Sequence, residues 1–274
     1  MSLPLVLRAL GMARSTYYFE LGRMRRPDGN EGIRSEIKAI FEGNNGRYGV
    51  RRVLAELRNR GRKASRKKVQ RLMHAMGLRG ACPREKYHSF VGEVGKIAPN
   101  VISRDFSADG PDEKWTTDVS EFACPFGKCY LSPIKDMFTN EIISYDVSMH
   151  PDYAQTRRML ERAFALHPDV RGLIMHSDQG WQYQMRGYSA SLREMGIVQS
   201  MSRRGNCIDN CIMETFFAVM KREMFYGHEK EFDTFEKFCD AVRKYIDYYN
   251  SRRISEKTKW MPPLRFREAS MSEL

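Results

Sequence analysis

No stretch of about 18 or more apolar residues occurs in the 274-residue sequence, so nothing in it reads as a membrane-spanning helix. The N-terminal MSLPLVLRALGMARSTYY lacks a secretory layout, because Arg8 sits inside its apolar stretch. Cysteines are few: Cys82, Cys124, Cys129, Cys207, Cys211 and Cys239. They read as reduced thiols of a cytoplasmic protein, not as a disulfide framework. Cys124 with Cys129, or Cys207 with Cys211, could pass for zinc half-sites. No paired histidines follow at finger spacing, however, and small buried hydrophobes are the better account.

Acidic residues are scarce in one part of the chain only. Residues 1–90 hold 21 Lys and Arg against 7 Asp and Glu, a net of +14, whereas residues 91–274 carry a net of −2. A solvated basic face is the bland explanation of such a surplus. An excess this large and this localised points instead to a phosphate-bearing partner.

Within that basic third, residues 1–80, helical spacing recurs. Ile33, Ile37, Ile40 and Phe41 mark one helix. Val50, Val53, Leu54 and Leu57 mark a second, which Gly61 ends. Ser65 caps a third through Val69, Leu72, Met73 and Met76, and Gly77 stops it. Arg51, Arg52, Arg66, Lys67, Lys68 and Arg71 fall on the outward faces, which describes a helix-turn-helix region that contacts DNA. Residues 81–112 lose all helical period and read as an extended linker lying along its partner.

Strand and helix patterns then alternate over residues 113–250, followed by a tail over 251–274. Three β-rich runs (115–124, 128–137 and 140–149) form an antiparallel meander. A helix over about 153–167, a strand over 171–177, a helix near 186–195, a short strand at 197–199 and a long helix complete a mixed five-stranded sheet. A last helix covers about 232–250. The fold class expected is α/β, ribonuclease H-like, behind an all-α segment.

Three carboxylates sit where a carboxylate is odd without a task. Asp118 interrupts the first strand, Asp178 closes an apolar run, and Glu214 lies among hydrophobics on the long helix. Brought together by the fold, three acids would make an all-oxygen site for Mg²⁺ or Mn²⁺, two ions being usual in phosphodiester chemistry. A strand-edge Asp and a helix-surface Glu are the plain alternatives for each acid alone; their joint placement favours the metal site. Nearby, Lys221 lies two helical turns beyond Glu214 and could touch a phosphate, or be an ordinary surface lysine. Asn210, one turn before Glu214, could orient the carboxylate or contact DNA. His176 could assist or pack, and Gln179 and Gly180 could admit a phosphate to the backbone. Trp181 and Tyr183 could stack on a base or fill the core. Asp209 reads as a helix cap, and Glu223 as facing away from Glu214.

WTTDVSEF, LSPIKDMFTNEIISYDVS, HSDQGWQY and NCIDNCIMETFFAVMKRE, with 35 residues between Asp178 and Glu214, resemble the core blocks of bacterial insertion-sequence transposases. GRYGVRRVLAELRNRG with SRKKVQRLMHAMGLRG resembles their helix-turn-helix segment, and YIDYYNSRRISEKTKWMPPLRFRE their C-terminal block. The likeness is to the downstream-frame product of the insertion sequence three family, with a retroviral-integrase-type core. The resemblance implies Mg²⁺-dependent DNA cleavage and strand transfer by Asp118, Asp178 and Glu214. It implies as partners the element ends and target DNA, a homo-oligomer on DNA, and an upstream-frame protein or frameshift fusion. The sequence lacks the His-His-Cys-Cys module of retroviral integrases, which argues against a retroviral identity. A non-catalytic DNA-binding relic is the rival reading, and retention of all three acids weighs against it.

Overall fold

The computed structural model describes residues 3–25, 29–81, 97–203 and 210–272. Cys82, Cys207, Arg204, Asp209 and residues 82–96 of the expected linker lie outside the described residues. The chain divides into two compact units, Met1–Arg79 and Gly80–Leu274.

The first unit is all helix: α1 (Leu3–Ala9), α2 (Arg14–Arg25), α3 (Glu31–Gly43), α4 (Val50–Asn59) and α5 (Arg66–Ala75). The apolar stripes of α3, α4 and α5 bury Ile33, Ile37 and Ile40 with Val53, Leu54, Leu57, Val69, Leu72 and Met73. Tyr48 fills the same core from the α3–α4 turn. At the start of α5, Ser65 Oγ accepts from the Lys68 N–H at 3.2 Å, so the cap read from sequence is present. Gly61 and Gly77, at φ +75° and +68°, supply the left-handed residues on which α4 and α5 end. Arg51, Arg66, Lys67 and Arg71 are exposed. Lys68 is half-buried, and Arg52 lies with its guanidinium 5.6 Å from the Tyr48 ring centre.

The second unit is built on a mixed sheet of β1 (Lys114–Thr117), β2 (Ser120–Cys124), β3 (Gly127–Asp136), β4 (Ile142–Ser148), β5 (Ile174–Ser177) and β6 (Val198–Met201). Six strands stand where five were expected. The run 115–124 is broken at Asp118–Val119, and its halves pair in turn with the two halves of the long β3. The break has a local cause: Asp118 Oδ1 accepts from the next residue's own N–H at 2.7 Å, which takes that donor out of the ladder. β4 covers the other edge of β3, while β1, β5 and β6 run parallel. α6 (Tyr153–Leu166) and α7 (Arg186–Glu194) pack one face through a core of Trp115, Ile134, Met159, Leu160, Met175, Tyr183, Tyr188 and Leu192. The elements α8 (Cys211–Met220), α9 (Phe235–Ser251) and α10 (Pro263–Ser272) complete the unit.

Two sequence readings need correction. Residues 97–112, the described part of the expected linker, are bonded to their own unit. The N–H groups of Val101 and Ile102 donate to Ser200 Oγ, Met201 N–H donates to Pro99 carbonyl, and Lys114 Nζ holds Asp105 and Ser107. Edge strand β6 has backbone groups left over by the ladder, and this segment satisfies them. Residues 251–274 are likewise no loose tail. From α10, Arg267 forks onto Asp112 at 2.8 and 3.0 Å and also donates to Glu141. Burial alone would raise the Asp112 carboxyl, but the bonds from His167 and Arg267 outweigh it and hold the pKa well below the usual carboxylate range.

Candidate active site

Parallel pairing of β1 with β5 sets Thr117 opposite Ser177, so Asp118 and Asp178 leave the carboxyl ends of adjacent strands at the same level. Strands in a sheet lie about 4.8 Å apart, which makes the two carboxylates neighbours by backbone geometry alone. Asp118 is only 5% exposed. Burial pushes its carboxyl pKa well up and the charge of Asp178 pushes it further; bonds from Val119 and Asn210 oppose the rise, and Glu214 adds to it. The negative charges of both other acids thus bear on Asp118. Asp178 is also raised by burial, against one opposing bond from the Gly180 N–H at 2.8 Å. Glu214, half-buried near the start of α8, is raised by burial as well.

Gly180 leaves room in that turn for the side chains of Asp178 and Gln182. A Cβ there would stand 2.9 Å from Asp178 Oδ1 and 2.6 Å from Gln182 Nε2, closer than side chains tolerate. The Gly180 N–H serves Asp178, and Gln179 Nε2 donates to the Ser202 carbonyl at 2.9 Å. Tyr183 is core, its hydroxyl 3.4 Å from Thr117 Oγ1, whereas Trp181 is 43% exposed beside the turn. His176 is buried, with Nδ1 3.0 Å from Ser200 Oγ, and packs between strands.

Asn210 precedes α8 and turns its amide onto the site, Nδ2 donating to Asp118 Oδ2 at 2.9 Å. The α-helical period behind the Lys221 expectation holds only to Met220; a π-helical turn, Lys221–Phe225, follows. Such turns recur at functional sites because they rotate side chains off the α-helical register. Lys221 Nζ lies 4.9 Å from the Phe122 ring centre. Burial lowers its pKa, and the charges of Glu121 and Asp118 pull it back up, so the ammonium stands within electrostatic reach of the acids. Glu223 does not join them. Its carboxylate is spent on Arg253, just beyond α9, and on the hydroxyl of Tyr245 in α9, each at 3.0 Å. Sequence reading missed this buried clamp, since its partners lie 22 and 30 residues away with no local signal.

The donor set suits a hard divalent cation: three acids of oxygen chemistry, Asp118 buried and the other two half-buried, with no arginine held to them among the described residues. Among the described residues, no three His, Cys, Asp or Glu side chains are drawn together tightly enough to cage a metal unaided. Cys124 and Cys129 are free thiols, and burial pushes Cys129 up to about 12, unlike a metal-ligating thiolate.

Acids converging at the carboxyl end of this sheet, beside a glutamate-bearing helix, define the class: a ribonuclease H-like integrase core. Models described as integrase core domain match residues 108–207 and 214–271, and one described as HTH-like domain matches residues 28–86. A protein of Escherichia coli (strain K12) assigned as transposase InsK for insertion sequence element IS150 is 47% identical over 262 residues, covering 96% of this chain and 92% of that one. Transposase InsF for insertion sequence IS3A of the same organism is 30% identical over 93% of this chain and 90% of its own. The chain belongs to the IS3-type insertion-sequence transposases, enzymes with an integrase core. Among solved structures, a chain of the simian T-cell lymphotropic virus intasome aligns at a TM-score of 0.51 and 12% identity, over 85% of this chain and 74% of that chain. At that identity the likeness is one of fold. Among the described residues, no helix is long and apolar enough to cross a membrane.

Proposed function

We propose that this transposase cuts DNA at the ends of its own insertion element and joins them to target DNA, with Asp118, Asp178 and Glu214 as the catalytic acids. The observation that carries the reading is the placement of Asp118 and Asp178 at the ends of adjacent parallel strands, where the buried Asp118 carboxylate feels the charges of both other acids with no compensating arginine among the described residues. Such a cluster stays ionised only beside a strong cation. These acids would hold Mg²⁺ or Mn²⁺, two ions being the usual number, which when bound activate the attacking hydroxyl and stabilise the departing 3′-oxygen. Lys221 would grip a phosphate next to the reacting one, its charge mattering more than its geometry. Cleaving and joining two element ends calls for two copies of this site, so we assign the working form to a homo-oligomer on DNA. An upstream-frame helix-turn-helix protein, or its frameshift fusion, would supply further end recognition, and the reaction would take place in the cytoplasm.

The test is nicking of duplex carrying the element's terminal repeats. Full-length protein should nick with Mg²⁺ or Mn²⁺, stop on chelation and resume on readdition. Binding without nicking under either metal would identify a non-catalytic DNA-binding partner instead.

DNA contact is assigned to the basic face of α4 and α5, through Arg51, Arg52, Arg66, Lys67, Lys68 and Arg71. Affinity should fall steeply with salt, because phosphate contacts release counterions. Replacing Arg66, Lys67, Lys68 and Arg71 together by Gln in the full chain should flatten the log–log salt slope by about 3.6, since each phosphate that is no longer neutralised lowers the slope by about 0.9. An unchanged slope removes α5 from the DNA interface.

A further inference from the structure

Lys221 Nζ stands over the Phe122 ring, 4.9 Å from its centre, and among the described residues no oxygen accepts a hydrogen bond from it. That is an uncommon setting for a half-buried ammonium, since lysines drawn into a protein ordinarily pair with a carboxylate. A carboxylate is near, on Glu121, but its oxygens meet Lys128 Nζ at 2.9 Å and the Tyr130 hydroxyl at 3.2 Å. What meets the cation is the π face of Phe122. The ring is only 1% exposed in β2, four residues beyond Asp118, and stands T-shaped to Phe225 at 5.1 Å and tilted against Phe238 at 5.2 Å. Phe225 closes the same π-helical turn that Lys221 opens, so both ends of that turn rest on Phe122. An aromatic face attracts a cation through its quadrupole, but it carries no net charge and does not neutralise it. The charge and N–H donors of Lys221 stay available for an anion.

We infer that Phe122 is a positioning residue, whose ring seats the Lys221 ammonium for a DNA phosphate before the DNA arrives. The inference rests on the phosphate-gripping reading of Lys221 above. A lysine on its flexible four-carbon stem loses rotamer freedom when it closes on a phosphate. A lysine already seated has lost that freedom on folding, so the cost does not fall on the reaction with DNA. A carboxylate in the ring's place would hold the ammonium as firmly but would compete with the phosphate for its charge. The aromatic seat fixes the position and leaves the charge whole.

The test is a series of full-length proteins in which the Phe122 ring carries one, two or three fluorines. Fluorine draws electron density from the π face and weakens its hold on a cation stepwise, at nearly unchanged ring size. With pre-cleaved element-end DNA, kcat/KM for joining should fall in step with the fluorine count, to about 10-fold below wild type in the trifluoro protein. The melting temperature should stay at the wild-type value. In a Lys221→Ala background, itself impaired in joining, the same fluorines should change nothing. Wild-type joining by the trifluoro protein, with Lys221→Ala impaired, would overturn the inference and leave Lys221 an unaided phosphate contact. A fluorine effect that persists in the Lys221→Ala background, or that follows a falling melting temperature, would also overturn it, because Phe122 would then act through packing alone. Undiminished joining by Lys221→Ala would strike the phosphate reading of that lysine, and absence of joining by the wild-type protein the phosphoryl-transfer reading, and the inference falls with either.

Discussion

Asp118→Asn, Asp178→Asn and Glu214→Gln should each abolish metal-dependent nicking of element-end DNA while leaving DNA binding intact. An amide preserves the shape of the carboxylate but removes the charge that holds a divalent cation. Metal charge stabilisation is worth several kcal/mol in such reactions, so the loss should reach at least about 1000-fold. The stability effect should run the other way. Asp118 is buried and repelled by two neighbours, so the metal-free Asp118→Asn protein should melt no lower than wild type. Single-turnover nicking, duplex binding and thermal melting measured side by side separate these effects. Near wild-type nicking by any one variant excludes that residue from the site. A loss of nicking matched by a lowered melting temperature would mark a folding defect instead.

The buried clamp behind the candidate site should give the largest single effect on stability. Arg253 meets Glu223 through Nε at 3.0 Å and Nη2 at 3.0 Å, with side chains 7% and 1% exposed. Removing one partner strands a charge in the interior, so Arg253→Met should cost about 3–5 kcal/mol in urea unfolding. Removing both, as Glu223→Leu with Arg253→Met, should recover a large part of that loss, because two desolvation penalties disappear together. Singles that cost under about 1 kcal/mol and add in the double variant would show the pair to be energetically idle. Glu223 lies in the π-helical turn that follows α8, the helix of Glu214. The double variant should therefore be compared with wild type for nicking as well as for folding.

How much could be read in advance varied with the range of the interaction. The helical stripes of α3, α4 and α5, the Ser65 cap and the glycines after α4 and α5 were legible because each depends on residues within one or two turns. The meander and the mixed sheet followed from alternating patterns. The split of the first strand did not, since it turns on one side-chain bond from Asp118 to its own neighbour's N–H. Nor did the packing of residues 97–112 along β6 or the Arg267 clasp on Asp112, whose partners lie 98 to 155 positions apart. The α-helical period extrapolated past Met220 met a π turn, which no pattern of hydrophobicity announces.

Charge, periodicity and residue type are properties of the chain. The basic helical segment and the α/β order could therefore be read without coordinates, and three acids out of 34 acidic residues could be singled out as candidates. Folding settled which polar groups are satisfied and which are left open. The Gly180 N–H was found turned to Asp178, Glu223 was held by Tyr245 of α9 and by Arg253 beyond it, and the Asn210 amide nitrogen was turned to Asp118. The physical reason is that a hydrogen bond depends on distances of a few tenths of an ångström between groups remote in the chain, and only the folded packing sets those distances.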